Sequence, residues 1–236
     1  INPGIGEHDV LEKDVILVMD TSGSMQGEKI ETAQQAMRYF VETLRTGDRF
    51  NILTFATSVR RFQPNLVLAD RAHRDAAQVF INEVAANGST AIDEALGEAL
   101  ADASRAATIN PKQLRPLRVI FVTDGKPTVG VTDVRAIVSK AIQRNTADAR
   151  VFAFGVESEI DSRLLNLLAA KTGGRAELVA GGDQLEQVLS DIVDQIARPV
   201  LTDIAVSVDG GQVYDVYPKT APDLYAGGQV RIVGRY

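Results

Sequence analysis

Residues 14–25 read DVILVMDTSGSM, in which five consecutive apolar residues end in an aspartate and a short polar loop. An unbroken apolar run is typical of a strand that is buried on both faces of a parallel sheet. A helical pattern begins just after the loop, so the sequence predicts a central strand followed by a helix. Asp20, Ser22 and Ser24 would then lie at the carboxyl end of the strand, the edge where open α/β sheets bind ligands.

Two later connections are expected to bring further oxygen side chains to the same edge. The apolar strand at 117–123 ends in Asp124, and the turn at 87–91 offers Thr90 ahead of an alanine-rich helix. Two carboxylates and three hydroxyls at one edge would be electrostatically costly without a cation. Such an oxygen set suits a small hard cation, and Mg²⁺ prefers about six oxygen ligands. The alternative for the two serines is that one of them only caps the following helix.

Strand-like and helix-like segments alternate over most of the chain. The predicted strands are 14–20, 49–55, 117–123, 150–156 and 176–179, with one of the weaker segments 58–62 and 66–68 as an edge strand. The predicted helices are 28–45, 70–86, 92–107, 132–145, 161–171 and 183–197. This alternation predicts a parallel sheet that is covered by helices on both faces.

The pattern changes near Pro199, after which short strand-like pieces and four tyrosines replace the alternation. We therefore expect three parts: a lead-in at 1–13, an α/β domain at 14–198, and a small β extension at 199–236 that forms part of a sandwich. The N-terminus has neither an initiator Met nor a signal-peptide pattern. We expect the chain to be a piece of a larger multidomain protein.

Composition removes several classes of function. The 236 residues include no cysteine, which excludes disulfides, thiolate zinc sites and a cysteine nucleophile. The formal net charge is −6 and no strongly basic run occurs, so we expect no nucleic-acid partner. No apolar segment approaches the roughly 20 residues of a membrane span, so we expect no membrane insertion by this segment.

The residues DTSGS at 20–24 resemble the Asp-x-Ser-x-Ser signature of the von Willebrand factor type A domain. Thr90 and Asp124 fall in the order and the type of connection that this signature requires. The similarity covers nearly the whole chain. It is strongest toward the inter-alpha-trypsin inhibitor heavy chain branch, at 16–25, 47–51 and 124–130.

This resemblance implies a Rossmann-like, mostly parallel six-stranded sheet with one antiparallel edge strand. It also implies a metal-ion-dependent adhesion site for Mg²⁺, Mn²⁺ or Ca²⁺, held by Asp20, Ser22, Ser24, Thr90 and Asp124. The two serines would bind the ion directly, and a glutamate or aspartate of a protein ligand would complete its shell. The implied function is non-enzymatic, metal-dependent protein binding or adhesion. An extracellular, periplasmic or cell-surface location is expected in preference to a cytoplasmic one.

Other functions were weighed against this one. A metal that only rigidifies the loops fits the same residues. A haloacid-dehalogenase-like phosphohydrolase needs a second carboxylate where this chain has Ser22, a poor proton relay at neutral pH. A serine hydrolase needs a base, and the only histidines are His8 and His73. Lys126 is interpreted as a solvated lysine or as a charge that steers an acidic partner. The metal site is ruled out if the side chains of Asp20, Thr90 and Asp124 lie far apart, or if a lysine or arginine of the chain's own fills the cluster.

Overall fold

The computed structural model describes residues 12–109, 115–156, 162–179, 199–201, 214–217, 224–225 and 231–235. The chain divides into two compact units, one at Leu11–Ser190 and one formed by Ile1–Val10 with Asp191–Tyr236. The domain boundaries expected from the sequence stay predictions. The helix predicted at 183–197 lies outside the described residues.

The described part of the larger unit alternates strands and helices as predicted. Its strands are β1 Asp14–Asp20, β2 Arg49–Phe55, β3 Val59–Arg61, β4 Val67–Leu68, β5 Leu117–Thr123, β6 Arg150–Val156 and β7 Ala176–Val179. Its helices are α1 Glu28–Thr43, α2 Arg71–Asn82, α3 Ile92–Ile109, α4 Val134–Arg144 and α5 Ser162–Thr172.

Side-chain caps set where two of the helices begin. Asp70 accepts a hydrogen bond from His73 N and is the N-cap of α2, while Asp133 accepts one from Ala136 N and is the N-cap of α4. A short acidic side chain satisfies one of the first backbone N–H groups, which have no partner inside the helix. The two helices therefore start one and two residues later than predicted.

The main sheet has the order β3-β2-β1-β5-β6-β7. β1 lies between β2 and β5 and is parallel to both, and β6 and β7 continue the parallel arrangement. The predicted Rossmann-like, mostly parallel sheet is confirmed. Since the strands are parallel, the carboxyl ends of β1 and β5 lie at one edge of the sheet.

The antiparallel edge of the sheet differs from the prediction. Both weak segments are strands, and β3 and β4 pair with opposite ends of β2, which gives seven strands instead of six. Between them, Asn51 Nδ2 donates to Gln63 O at 2.8 Å, and Asn51 Oδ1 accepts from Gln63 N at 3.1 Å. Pro64 follows and has no N–H to donate to a ladder. The edge is therefore divided into two short pieces.

Helices cover the sheet on both faces. One face, formed by Ile16, Val18, Val119, Phe121 and their neighbours, packs in a core cluster with α3, α4 and α5. On the other face, Phe40 of α1 lies against Phe154 of β6 with ring centroids 6.4 Å apart. All seven residues of β1 are buried. Burial on both faces explains why β1 carries no polar alternation.

The smaller unit contains two short antiparallel pairs in its described part. β8 Pro199–Leu201 pairs with β10 Leu224–Tyr225, and β9 Tyr214–Tyr217 pairs with β11 Val233–Arg235. The predicted β extension is confirmed as these two pairs. No helix among the described residues combines the length and apolar character needed to cross a bilayer.

Candidate metal centre

Three loops meet beyond the carboxyl ends of β1 and β5. The loop after β1 is bonded to the α2–α3 connection, because Gly23 N donates to Gly88 O at 2.9 Å and Asn87 N donates to Thr21 O at 2.8 Å. The same connection bonds to the loop after β5, where Thr128 N donates to Thr90 O at 3.0 Å. Backbone hydrogen bonds therefore hold all three loops together.

Ser22, Ser24 and Asp124 form a continuous chain of oxygens across two of these loops. Ser22 Oγ lies 3.1 Å from Ser24 Oγ, and Ser24 Oγ donates to Asp124 Oδ1 at 2.9 Å. Ser22 is 1% and Asp124 7% exposed, whereas Ser24 faces solvent. The cluster is therefore buried at its base and reachable from solvent at Ser24.

Thr90 brings its hydroxyl to the same cluster. Its hydrogen bonds with other described residues involve main-chain atoms: Thr90 N donates to Thr128 Oγ1, and Thr90 O accepts from Thr128 N. A Cβ placed at Gly125 would lie 3.6 Å from Thr90 Oγ1 and 3.7 Å from Ser24 Oγ. The two hydroxyls thus face one point from different loops.

Asp20 forms the buried base of the cluster. It is 0% exposed, Oδ1 accepts from Ser22 N at 2.8 Å, and Oδ2 accepts from Thr123 Oγ1 at 2.5 Å. Burial raises the pKa of Asp20, the bonds from Thr123 and Ser22 partly oppose the rise, and the charge of Asp124 adds to it. Within the described part of the chain, no lysine or arginine forms an ion pair with Asp20. A bound cation would offset the free-energy cost of burying the charged carboxylate of Asp20.

Lys29 supplies a positive charge to the other carboxylate. Lys29 Nζ lies 2.9 Å from Asp124 Oδ2, the oxygen that Ser24 does not contact. The ion pair joins the first turn of α1 to the loop after β5. A lysine that fills the cluster contradicts the metal site predicted from the sequence. Lys29 contacts one oxygen of Asp124, and the ion pairs among the described residues include none between Lys29 and Asp20.

All five predicted ligand residues are brought to this cluster, so the side chains are close enough to act together. Their chemistry fits a hard divalent cation, since every donor is an oxygen and two are carboxylates. No group of three or more His, Cys, Asp or Glu able to hold a metal occurs among the described residues. Hydroxyls therefore have to supply much of any coordination here.

The sequence reasoning missed three residues that support the cluster. Thr123 donates to Asp20, Thr128 accepts from the backbone of Thr90, and Lys29 pairs with Asp124. One signal was available for Lys29. A helix that follows a parallel strand starts at the carboxyl edge of the sheet, so the first turn of α1 lies beside the loop that follows β1.

Replacing Gly88 with alanine is expected to loosen the cluster. Gly88 has φ +87°, and an added Cβ would lie 2.7 Å from Thr57 Oγ1. An alanine at positive φ costs roughly 1–2 kcal/mol, and the close contact adds to it. Urea unfolding would measure the loss of stability, and Mn²⁺ titration should show weaker binding because Gly88 O anchors Gly23.

Gly130→Ala is the matched control for that variant. Gly130 has φ +69°, but its added Cβ would meet nothing within 4 Å. We expect only the backbone cost and unchanged Mn²⁺ affinity. Equal losses of metal affinity in both variants would contradict the anchoring role of Gly88.

Comparisons with known proteins identify the family and the fold of the α/β domain. Residues 13–178 match the family model described as von Willebrand factor type A domain. Inter-alpha-trypsin inhibitor heavy chain H2 of Mesocricetus auratus is 28% identical over 231 residues, covering 97% of this chain and 24% of that protein. The chain thus spans about a quarter of the length of the curated relatives it matches.

Two solved structures share the fold. The von Willebrand factor type A protein from Catenulispora acidiphila aligns with a TM-score of 0.75 and 22% identity, covering 96% of this chain and 55% of that one. Proximal thread matrix protein 1 from the mussel byssus, solved with a zinc-occupied MIDAS motif, aligns with a TM-score of 0.57 and 19% identity. That alignment covers 78% of this chain and 45% of the mussel protein.

Proposed function

This chain belongs to the von Willebrand factor type A domain family, and from that premise we propose that it is a non-enzymatic module that binds a protein ligand through a divalent metal ion. Domains of this family typically mediate protein–protein interaction. One observation carries the proposal: three loops bring two carboxylates and three hydroxyls together at the carboxyl edge of the sheet. The mussel protein that shares this fold, solved with a zinc-occupied MIDAS motif, supports it.

The residues that would hold the ion are Asp20, Ser22, Ser24, Thr90 and Asp124. Mg²⁺ or Mn²⁺ suits them best, and Ca²⁺ is the larger alternative. The ion would supply a positive charge at the solvent-facing side of the cluster, beside the exposed Ser24. A glutamate or aspartate of the partner is the group whose chemistry fits that position.

Enzyme chemistry finds little support in the described residues. Ser22 stands where a phosphohydrolase of the haloacid-dehalogenase type needs an acid, and its Oγ lies against Ser24 Oγ. His73 Nδ1 lies 2.9 Å from Asp70 Oδ1 at the start of α2. That helix begins next to Asp48, since Ala69 N donates to Asp48 O, and Asp48 precedes β2 at the amino edge of the sheet. His73 is therefore remote from both serines. His8 lies outside the described residues.

Removing the hydroxyl of Thr90 is expected to weaken metal binding. We expect Thr90→Val to bind Mn²⁺ at least about tenfold more weakly than the unmodified protein, as loss of a group that orients or ligates a metal does. Calorimetric titration of chelator-treated protein measures this. Thr108→Val is the matched control, because the bond of Thr108 Oγ1 within the described part of the chain goes to Arg105 O in the last turn of α3. Unchanged Mn²⁺ affinity in Thr90→Val would remove Thr90 from the site.

Partner binding is tested with a displayed library of random peptides. We expect Mg²⁺-dependent binders to be enriched in Asp and Glu, to be released by chelator, and to fail when the acid is changed to its amide. If Mn²⁺ stabilises the protein but every recovered binder ignores the chelator, the metal has only a structural role.

The location and the parent protein stay predictions. We expect an extracellular, periplasmic or cell-surface location for a domain that binds partners through a metal. Membership of a larger multidomain protein is supported by the relatives, of which this chain covers about a quarter.

A further inference from the structure

Lys29 is the one cation that the described residues place in an ion pair with the candidate metal site. Its Nζ lies 2.9 Å from Asp124 Oδ2, where the side chain of Asp124 is 1% exposed and that of Lys29 is 25% exposed. Glu28–Thr43 forms α1 directly after the loop that carries Ser22 and Ser24. Lys29 therefore reaches the cluster from the start of α1, the helix that follows the loop with Ser22 and Ser24.

The position of Lys29 is unfavourable for the helix itself. The N-terminus of an α-helix carries a partial positive charge, which favours acids and disfavours cations in the first turn. Glu28 and Glu31 in the same turn follow that preference, and Lys29 does not. A residue that breaks a local rule is expected where function or a distant contact compensates. Here the distant contact is Asp124.

We infer that Lys29 sets the charge of the metal site. Its positive charge lowers the affinity of the site for the divalent cation and raises the affinity of the loaded site for the acidic group of the partner. This inference rests on the function proposed above. Asp20 and Asp124 together carry two negative charges, and Lys29 cancels one of them. With a divalent ion bound, Asp20, Asp124, Lys29 and the ion together carry one net positive charge. Without the charge of Lys29, the loaded site would be neutral. A partner's carboxylate is attracted to the positively charged site.

Removing the ammonium of Lys29 lowers the charge beside Asp124 by one unit, whatever other groups surround Lys29. An opposite charge at close range shifts a protonation equilibrium by about one to three powers of ten. Solvent screening of the partly exposed ammonium points to the lower end of that range. We therefore expect removal of the charge to tighten Mn²⁺ binding by about tenfold.

The test compares Lys29→Met with Lys29→Arg and Lys171→Met. Lys29→Met removes the charge at similar length, Lys29→Arg keeps it, and Lys171→Met makes the same change of net charge at the end of α5. Calorimetric titration of chelator-treated protein with MnCl₂ gives the metal affinity. Relaxation of acetate protons by protein-bound Mn²⁺, with acetamide as the neutral probe, gives the affinity of the loaded site for a carboxylate.

We expect Lys29→Met to bind Mn²⁺ about tenfold more tightly and, once loaded, to bind acetate severalfold more weakly. Lys29→Arg and Lys171→Met should match the unmodified protein in both measurements. A purely structural role for the ion pair would weaken both affinities together or leave both unchanged, and either result overturns the inference.

Failure of the proposed function has a different outcome. If neither the unmodified protein nor Lys29→Met binds Mn²⁺, both the metal site and the inference fall. If only Lys29→Met binds, Lys29 blocks the metal, and both the proposed function and the inference fall. If both bind with equal affinity, the metal site stands and the role of Lys29 is wrong.

Discussion

Unfolding of Asp48→Ala in urea is expected to require about 3–5 kcal/mol less free energy than unfolding of the unmodified protein, the usual cost of breaking a buried ion pair. Asp48 is 0% exposed and sits at the amino edge of the sheet, before β2. Its Oδ2 lies 2.5 Å from Lys13 Nζ, while Lys13 N and Arg45 N donate to the same carboxylate at 3.0 and 2.9 Å. The alanine variant leaves the buried ammonium of Lys13 without this partner.

Asp75→Ala serves as the control for that loss. Asp75 forms an exposed ion pair with Arg71 along α2, with 73% and 95% of the two side chains exposed. Exposed pairs of this kind contribute little, so its unfolding curve should overlay that of the unmodified protein. A small loss in Asp48→Ala, similar to that in Asp75→Ala, would mean that water replaces the carboxylate at Lys13.

Metal affinity should not follow stability in Asp48→Ala. β1 has seven residues, so its two ends are roughly 20 Å apart at the usual rise of a strand. Asp48 lies at one end and the candidate site at the other. At urea concentrations at which the variant is still folded, its Mn²⁺ affinity should equal that of the unmodified protein.

Asp20→Asn is expected to separate stability from metal binding. Burial raises the pKa of Asp20, so the carboxyl group of Asp20 holds its proton more tightly in the folded state than in the unfolded state. Above the unfolded pKa, the buried carboxylate therefore lowers the free energy of unfolding. An amide keeps an acceptor for Ser22 N without the charge, and in chelator the variant should be at least as stable as the unmodified protein.

Added metal should make the unmodified protein more stable than Asp20→Asn, the reverse of the order expected in chelator. At a Mn²⁺ concentration one hundred times its dissociation constant, the unmodified protein should gain about 2.7 kcal/mol, and Asp20→Asn should gain none. Thermal and urea unfolding with and without Mn²⁺ measure the difference. Asp133→Asn is the control, because asparagine caps a helix as well as aspartate does and Asp133 caps α4. An equal gain in Asp20→Asn would mean that Asp20 is not a ligand.

The sequence was sufficient for the bounds of five strands, since β1, β2, β5, β6 and β7 begin and end at the predicted residues. In β1, β5 and β6 every residue is buried, and burial on both faces demands the long apolar run that marks each of them in the sequence. Asp20, Ser22, Ser24 and Asp124 could also be named as candidates, since they follow two parallel strands whose carboxyl ends lie at one edge. Thr90 lies between two helices, and the turn at 87–91 and the family resemblance made it a candidate.

Contacts between distant residues could not be predicted in the same way. The pair Lys29–Asp124 joins residues 95 positions apart, and the bond from Thr123 to Asp20 spans 103 positions. No local pattern encodes such a pair. The divided edge strand was missed for a related reason: side-chain bonds of Asn51 to Gln63 replace part of the ladder, and sequence periodicity reports only which residues are buried.

The divided edge has a consequence for the behaviour of the protein at high concentration. A long unpaired strand offers a continuous row of donors and acceptors on which another molecule can grow a fibril. Here β3 has three residues and β4 has two, and the gap between them contains Gln63, which bonds to the side chain of Asn51, and Pro64, which has no N–H. On the described part of this edge, a second molecule meets only short runs of unpaired backbone groups, so we expect this side of the sheet not to template aggregation.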